Sequence, residues 1–337
     1  MATMKDVARL AGVSIATVSA TVNRSAFVSA ELRRRVTEAI HELGYAPDGV
    51  ARSLKRGRTQ LVGLIVADIT NAFFTELVHV IEAAIQDAGY SVLLCDTDES
   101  FEKERDYLRI LRTHRVDGVI LAPTGQPGDY APFHSLEERL PLVLVDRVLA
   151  ELNADTVTVD NVAAAFDATT HLLDLGHRDV ATITGPLHLT PAQDRLRGFR
   201  AALEQRGVAL REDFVRSGSF REEEAMAAAL DMLQQRERPS AIFVANNHMM
   251  IGVMRAISQL RLSCPKDVSV VGIDDFPWAN AFTPRLTLVR QPVEEIGKAA
   301  VQLLLDRRKD DGERPPIHRV LKPTLVVRDS CARFQSA

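Results

Sequence analysis

The polar residues with most chemical scope fall in short clusters, most of them just after an apolar run. They are Asn71 with Phe73 and Phe74, Asp146-Arg147, Asn246-Asn247 and Asp274-Asp275, while Arg195 opens a helical pattern. Carboxylates, amides and a guanidinium make forked hydrogen bonds, and aromatic rings cover the flat apolar face of a sugar. The set suits a polyhydroxylated ligand. It does not suit catalysis, because no nucleophile–base pair stands out and no phosphate-cradling glycine loop is present. The nine histidines show no ligand spacing, and Cys95, Cys264 and Cys331 are odd in number and far apart, so neither a metal nor a cofactor is expected. A second group, Ser14, Thr17 and Asn23, consists of small side chains that donate to phosphates and fix register without reading sequence.

Those three residues need a helix to present them. The stretch 4–19 reads as two short helices joined by a tight turn, in which Ala8 lets the axes approach and Gly12 takes the positive φ. Val18 points back between the helices, Thr3 with Asp6 caps the first, and Ser14 caps the second. This is a helix-turn-helix, whose second helix enters the DNA major groove. A third helix starts near Ser29, with Leu32, Val36, Ala39, Ile40 and Leu43 on its apolar face and Arg33, Arg34 and Arg35 on its polar side. Gly44 to Pro47 breaks it. Residues 48–56 allow about two turns, too few to stand alone in water, and 57–59 read as a linker.

From Leu61 the pattern changes to short apolar runs alternating with helical patterns. The runs are Leu61–Ala67, Ser91–Cys95, Gly118–Ala122, Leu142–Val145, Val180–Thr184, Ala241–Ala245 and Val268–Ile273. Such alternation predicts βαβ units and parallel sheets covered on both faces. Seven strands and their helices divide best into two similar lobes, with crossings near residues 161, 290 and 322. Ligands of such sheets lie beyond the carboxyl ends of the strands, and that is where the polar clusters fall.

Charge separates the two regions. Residues 1–60 hold ten Lys/Arg and five Asp/Glu, a net of +5, so the remaining chain carries −9 of the total −4. A basic head on an acidic body fits a nucleic-acid module attached to a domain that stays off DNA. No apolar run reaches the roughly 18 residues a membrane span needs, and no charged leader precedes an apolar stretch, so a cytoplasmic protein is expected.

The motifs Lys5-Asp6-Val7-Ala8, Ala11-Gly12-Val13-Ser14, Thr17-Val18-Ser19 and Asn23, then Val50-Ala51-Arg52-Ser53-Leu54, are highly specific. Arg115-Val116-Asp117-Gly118, Leu175-Gly176-His177-Arg178, Arg195-Leu196-Arg197-Gly198-Phe199 and Val271-Gly272-Ile273-Asp274-Asp275 add to them. Together they resemble the LacI/GalR family of bacterial transcription regulators over nearly the whole chain. The resemblance implies an all-α helix-turn-helix headpiece over 1–46, a hinge helix and linker over 47–60, and an α/β body over 61–337. That body is bilobal and shaped like a periplasmic binding protein, with one lobe over 61–160 plus 291–321 and the other over 161–290 plus 322–330.

It also implies roles. Ile15, Ala16 and Ala20 read bases, with Ser19 on the same helix, while Ala51, Arg52, Leu54 and Lys55 belong to the hinge and Leu54 wedges into the minor groove. Relatives often place a long polar side chain at Ala20; here Ile15, Ala16 and Ala20 reach thymine methyls but make no bidentate bonds to purines. Effector contacts map onto Phe73, Phe74, Arg195, Phe220, Asn246, Asp274 and Gln291. Asn247 departs from the aspartate usual in relatives, Glu224-Ala225 replaces Ser-Gly, and Leu189 replaces an arginine of purine-binding members. The last change favours a sugar or sugar derivative. The expectation is a homodimeric repressor on double-stranded operator DNA, released or recruited by a small molecule; the alternative is corepression by a non-sugar metabolite. A plain carrier lacks reason for the basic head, and an enzyme lacks machinery.

Overall fold

In the computed structural model the described residues are 2–23, 26–45, 59–133, 140–149, 151–310 and 314–334. They form two compact units, Met1–Thr59 and Gln60–Ala337. The expected hinge helix, with Ala51, Arg52, Leu54 and Lys55, lies outside the described residues.

The first unit holds α1 (Met4–Ala11), α2 (Ile15–Asn23) and α3 (Ala30–Leu43). Helix α1 starts where a capping box forms: Asp6 N donates to Thr3 Oγ1 at 3.3 Å, and Thr3 N donates to the Asp6 carboxylate at 3.0 Å. Gly12, at φ 60°, ends it in the left-handed region. Ser14 Oγ accepts from Thr17 N at 3.1 Å and so caps α2. Val7, Ala8, Ala11, Val18, Val36, Ala39 and Tyr45 close a core that three short helices could not bury singly.

Arg35 corrects the expectation that all three arginines of α3 lie on its polar side. Its Nη2 reaches across to donate to the carbonyls of Ala11 (2.5 Å) and Gly12 (3.2 Å). The end of α1 leaves carbonyls without helical partners, and a long cation on the packed helix satisfies them. Arg35→Met is expected to raise amide exchange across residues 4–23 of the full chain by roughly tenfold or more, from the loss of about 1.5–3 kcal/mol of charge-assisted bonding. Unchanged exchange would refute this role.

The second unit contains two six-stranded sheets. The first orders β11-β5-β4-β3-β1-β2, all parallel: β1 (Leu61–Val66), β2 (Ser91–Asp96), β3 (Gly118–Leu121), β4 (Leu142–Val145), β5 (Asp155–Val159) and β11 (His318–Leu321). The second orders β12-β10-β9-β8-β6-β7: β6 (Val180–Thr184), β7 (Val215–Ser217), β8 (Ala241–Val244), β9 (Ser269–Ile273), β10 (Thr287–Arg290) and β12 (Thr324–Val326), the last antiparallel to β10. Helices α4 (Ala72–Asp87), α5 (Phe101–Thr113) and α10 (Val293–Lys309) serve the first sheet. Helices α6 (Asn161–Asp174), α7 (Thr190–Gln205), α8 (Glu222–Leu233) and α9 (Asn247–Gln259) serve the second. All seven apolar runs of the sequence are strands. The chain passes between sheets three times, from β5 into α6, from β10 into α10 and from β11 into β12. Among the described residues, no helix is long and apolar enough to cross a membrane.

Candidate functional site

Strand topology decides where polar groups collect. In both sheets the order turns back on itself beside the first strand of the lobe, and side chains at the carboxyl ends converge on one crevice. It is lined by Asp68, Asn71, Phe73, Phe74, Glu99, Asp146, Arg147, Pro191, Arg195, Phe220, Asn246, Asp274 and Gln291. All ten residues expected from the sequence to meet an effector are in that set. The space left between them is about 20 Å³, room for one water, so a larger guest enters only when the lobes part.

The two aspartates are placed by the same device. Asp146 follows β4 and Asp274 follows β9; their amides donate to Val157 O (3.1 Å) and Val289 O (3.0 Å) on the adjacent strands. Both sit in the left-handed region, at φ 64° and 75°, which costs an L-residue about 1–2 kcal/mol. Glu99 and Phe220 share that conformation, at φ 58° and 59°. Backbone strain gathered around one crevice is a mark of function. Burial pushes the Asp146 carboxyl up; Arg147 and Arg195 pull it back, while Asp274 and Glu99 raise it further.

Each guanidinium is fixed on several sides. Arg147 makes a bidentate pair with Glu99 (2.6 and 2.7 Å), donates to Pro123 O at 3.2 Å and lies 5.9 Å from the Phe74 ring. Arg195 donates from Nε to Asn161 Oδ1 (2.8 Å) and from Nη1 to Ala245 O (2.6 Å), with Phe220 6.0 Å away. Asn71 caps α4 through Phe73 N, and Asn246 caps α9 through Met249 N, so both amides are oriented by helix starts.

Hydrogen-bonding capacity is left over. Among the described residues, Arg147 Nε and Gln291 Oε1 are buried with no hydrogen-bond partner. Among the described residues, neither Asp146 oxygen accepts a hydrogen bond, its nearest cation being Arg147 Nε at 3.5 Å. Of the described residues, only Gln291 Nε2 donates to Asp274, at 2.5 Å. Leaving buried polar groups unmet costs about 1–3 kcal/mol each.

Two profiles match this chain: "Bacterial regulatory proteins, lacI family" over residues 3–48 and "Periplasmic binding protein-like domain" over residues 169–331. The ribose operon repressor of Escherichia coli K12 is 38% identical across 96% of this chain and 95% of its own length. The chain belongs to the LacI family. The transcriptional repressor PurR of Vibrio campbellii is similar at 36% identity, over 99% of this chain and all of that protein. Among solved structures, the lac repressor dimer bound to operator and the anti-inducer ONPF is similar with a TM-score of 0.87 at 28% identity, covering 98% of this chain and 99% of that one. A LacI-family member is a DNA-binding repressor governed by a small-molecule effector, and both halves of that description have residues here.

On the headpiece, Ser14, Ile15 and Ala16 are exposed, while Thr17, Ser19, Ala20 and Asn23 are half-buried. Ser14 Oγ lies 2.9 Å from Thr17 Oγ1, and Asn23 Nδ2 donates to Ser19 O at 2.9 Å, so these small polar groups are pre-arranged along one helix.

Sequence reasoning missed Asp68, Glu99, Asn161 and Pro191. Asp98-Glu99 follows the second strand, so the rule that found Asp146 applies to it. Asn161 acts one step back: it holds Arg195 and donates from Nδ2 to Val159 O at 3.2 Å.

Around the rim the lobes touch directly. Arg221 donates to Asp98 Oδ1 (2.9 Å) and Asp98 O (3.0 Å). Asn247 Nδ2 donates to Asn71 Oδ1 at 2.9 Å, and the His248 ring lies 3.3 Å from Thr70 O. Arg221 and Asp98 are both partly solvated, so their pair is worth about 0.2–1 kcal/mol. Arg221→Gln is expected to weaken effector binding two- to fivefold by opening the lobes; calorimetry showing no change or tighter binding would contradict it.

Proposed function

We propose that this chain is a homodimeric repressor whose hold on a pseudopalindromic operator is set by a sugar bound between the lobes of its second unit. The body divides, on this reading, into a lobe of residues 61–160 plus 291–321 and a lobe of 161–290 plus 322–330, behind a headpiece of 1–46 and a hinge of 47–60. Ser14, Thr17 and Asn23 hold phosphates, and Ile15, Ala16 and Ala20 meet base edges. Ala51, Arg52, Leu54 and Lys55 engage the operator centre, where an easily unstacked pyrimidine–purine step is favoured.

The unmet hydrogen-bonding capacity of the crevice carries the effector half. Acceptors remain on both oxygens of Asp146, on Asp274 Oδ2 and on Gln291 Oε1; donors remain on Arg147 Nε, Arg195 Nη2 and Asn246 Nδ2. A guest must therefore bring several donors as well as acceptors. Ring hydroxyls do both, and the four of a cyclic aldopentose answer the four acceptors, while Phe73, Phe74 and Phe220 cover its apolar faces. The likeness to the ribose operon repressor points the same way. The sugar holds the lobes together, and its differential affinity for the closed body drives the change at the operator.

Thermal shift and operator titration test this together, with D-ribose, other pentoses, hexoses and nucleobases as ligands. A pentose at 100 times its dissociation constant adds about 2.7 kcal/mol of stability and shifts operator affinity. A nucleobase acting in its place would overturn the sugar reading and support corepression instead. Failure to bind any promoter fragment at low salt would overturn the DNA half.

A further inference from the structure

We propose that this crevice selects uncharged sugars and turns away phosphorylated or carboxylated ones, because Asp146 and Asp274 meet there with acceptor oxygens unmatched. The inference rests on the effector reading above and narrows the class of guest.

Charge supports it first. The lining brings four carboxylates, of Asp68, Glu99, Asp146 and Asp274, against two guanidiniums, of Arg147 and Arg195. The formal charge of those six side chains is −2, with Arg221 at the rim lying 3.8 Å from Asp68. Each guanidinium is already largely spent on protein partners, with one nitrogen left over on each. Glu99 already occupies Arg147 in a bidentate pair, and Arg195 is committed to Asn161 and to the Ala245 carbonyl. A cavity of about 80 Å³ adjoins the crevice past Phe73, Asp274 and Gln291, and it adds Glu76, Asp275 and Arg290. Arg290 is itself held by Asp275 at 2.6 Å. A substituent extending from the crevice into that space meets the Glu76 carboxylate and an arginine already paired with Asp275, which Arg328 also holds at 2.9 Å.

Hydrogen-bond matching supports it independently. Phosphate and carboxylate groups at neutral pH bring acceptors and no donors. Placed here they would leave Asp146 and Asp274 unmatched and add a like charge in a partly buried site. Hydroxyls instead donate to both aspartates. The preference is thus built from what the acceptors lack as well as from the sign of the field.

The test compares D-ribose 5-phosphate with 5-O-methyl-D-ribose by calorimetry on the full chain. The methyl ether fills the same position without charge and is locked into the same ring form. The ether is expected to bind at least 100-fold more tightly, since a like-charge contact at 4–6 Å in a partly buried site costs more than one tenfold step. Asp146→Asn and Asp274→Asn, checked for folding by circular dichroism and operator binding, are expected to narrow that gap tenfold or more. Binding of the phosphate within tenfold of the ether would overturn the proposal. So would a gap unchanged in both variants, or rejection of both ligands alike, since size would then explain the exclusion. If a nucleobase is the effector and no neutral sugar binds, the effector reading itself fails and takes this inference with it.

Discussion

Arg195→Ala is expected to yield a repressor that still grips its operator and no longer answers its effector. The side chain is almost wholly buried and ties three segments together: the start of α6 through Asn161, the end of β8 through Ala245 O, and the Phe220 ring. Its remaining nitrogen, Nη2, has no protein partner among the described residues, on a side chain that lines the crevice. Truncation removes a charged donor to the ligand and strands two buried acceptors. Hydrogen bonds to charged groups are worth about 1.5–3 kcal/mol each, so effector affinity should fall about 10- to 150-fold. Operator affinity without effector should stay within about threefold, because the region matching the lacI-family regulatory profile belongs to the other compact unit. Release of operator at the wild-type effector concentration would show that Arg195 does not serve the ligand.

Gly252→Ala should cost the second unit about 3 kcal/mol or more, at the upper end of what overpacking does. Gly252 lies in α9 where it crosses α8, and a Cβ there would stand 2.2 Å from Glu222 O and 2.9 Å from Met226 N. Both neighbours are backbone, so neither can rotate away. Relief requires the helices to separate, and that tilts α9 at the end that carries Asn246 and Asn247. The variant should melt several degrees lower and bind effector more weakly. A melting temperature unchanged by Gly252→Ala would mean the crossing is looser than its geometry states.

Legibility of the fold in the sequence tracked apolar contrast. Every strand whose run is continuously aliphatic could be read, as in Leu61–Val66. Strand β5 was not, since Asp155-Thr-Val-Thr-Val looks half polar, yet all five residues are buried. Asp155 is clasped there by Arg307, Arg314 and Ile317 N, partners that are remote in sequence. Strand β11 escaped because His318, Arg319 and Val320 are exposed on a sheet edge, and β7 because it is three residues long.

The crevice was legible for a different reason. Its residues follow strands directly, so finding the strand finds the residue. Glu99 needed one more step, a left-handed Asp98-Glu99 pair that swings the carboxylate back toward Arg147. Asn161 needed knowledge of a neighbour 34 positions away, which spacing does not supply. Arg35 was misread because helical periodicity says which way a side chain starts, and a long one can end elsewhere.

The three passages of the chain between its sheets have a mechanical outcome. Two bodies strung on one thread can swivel freely, and one cut frees them. Strung on three neighbouring threads, they keep a single axis of bending and resist shear or twist. A protease that nicks any one passage should leave the halves associated and still able to clasp, and severing all three would be needed to part them.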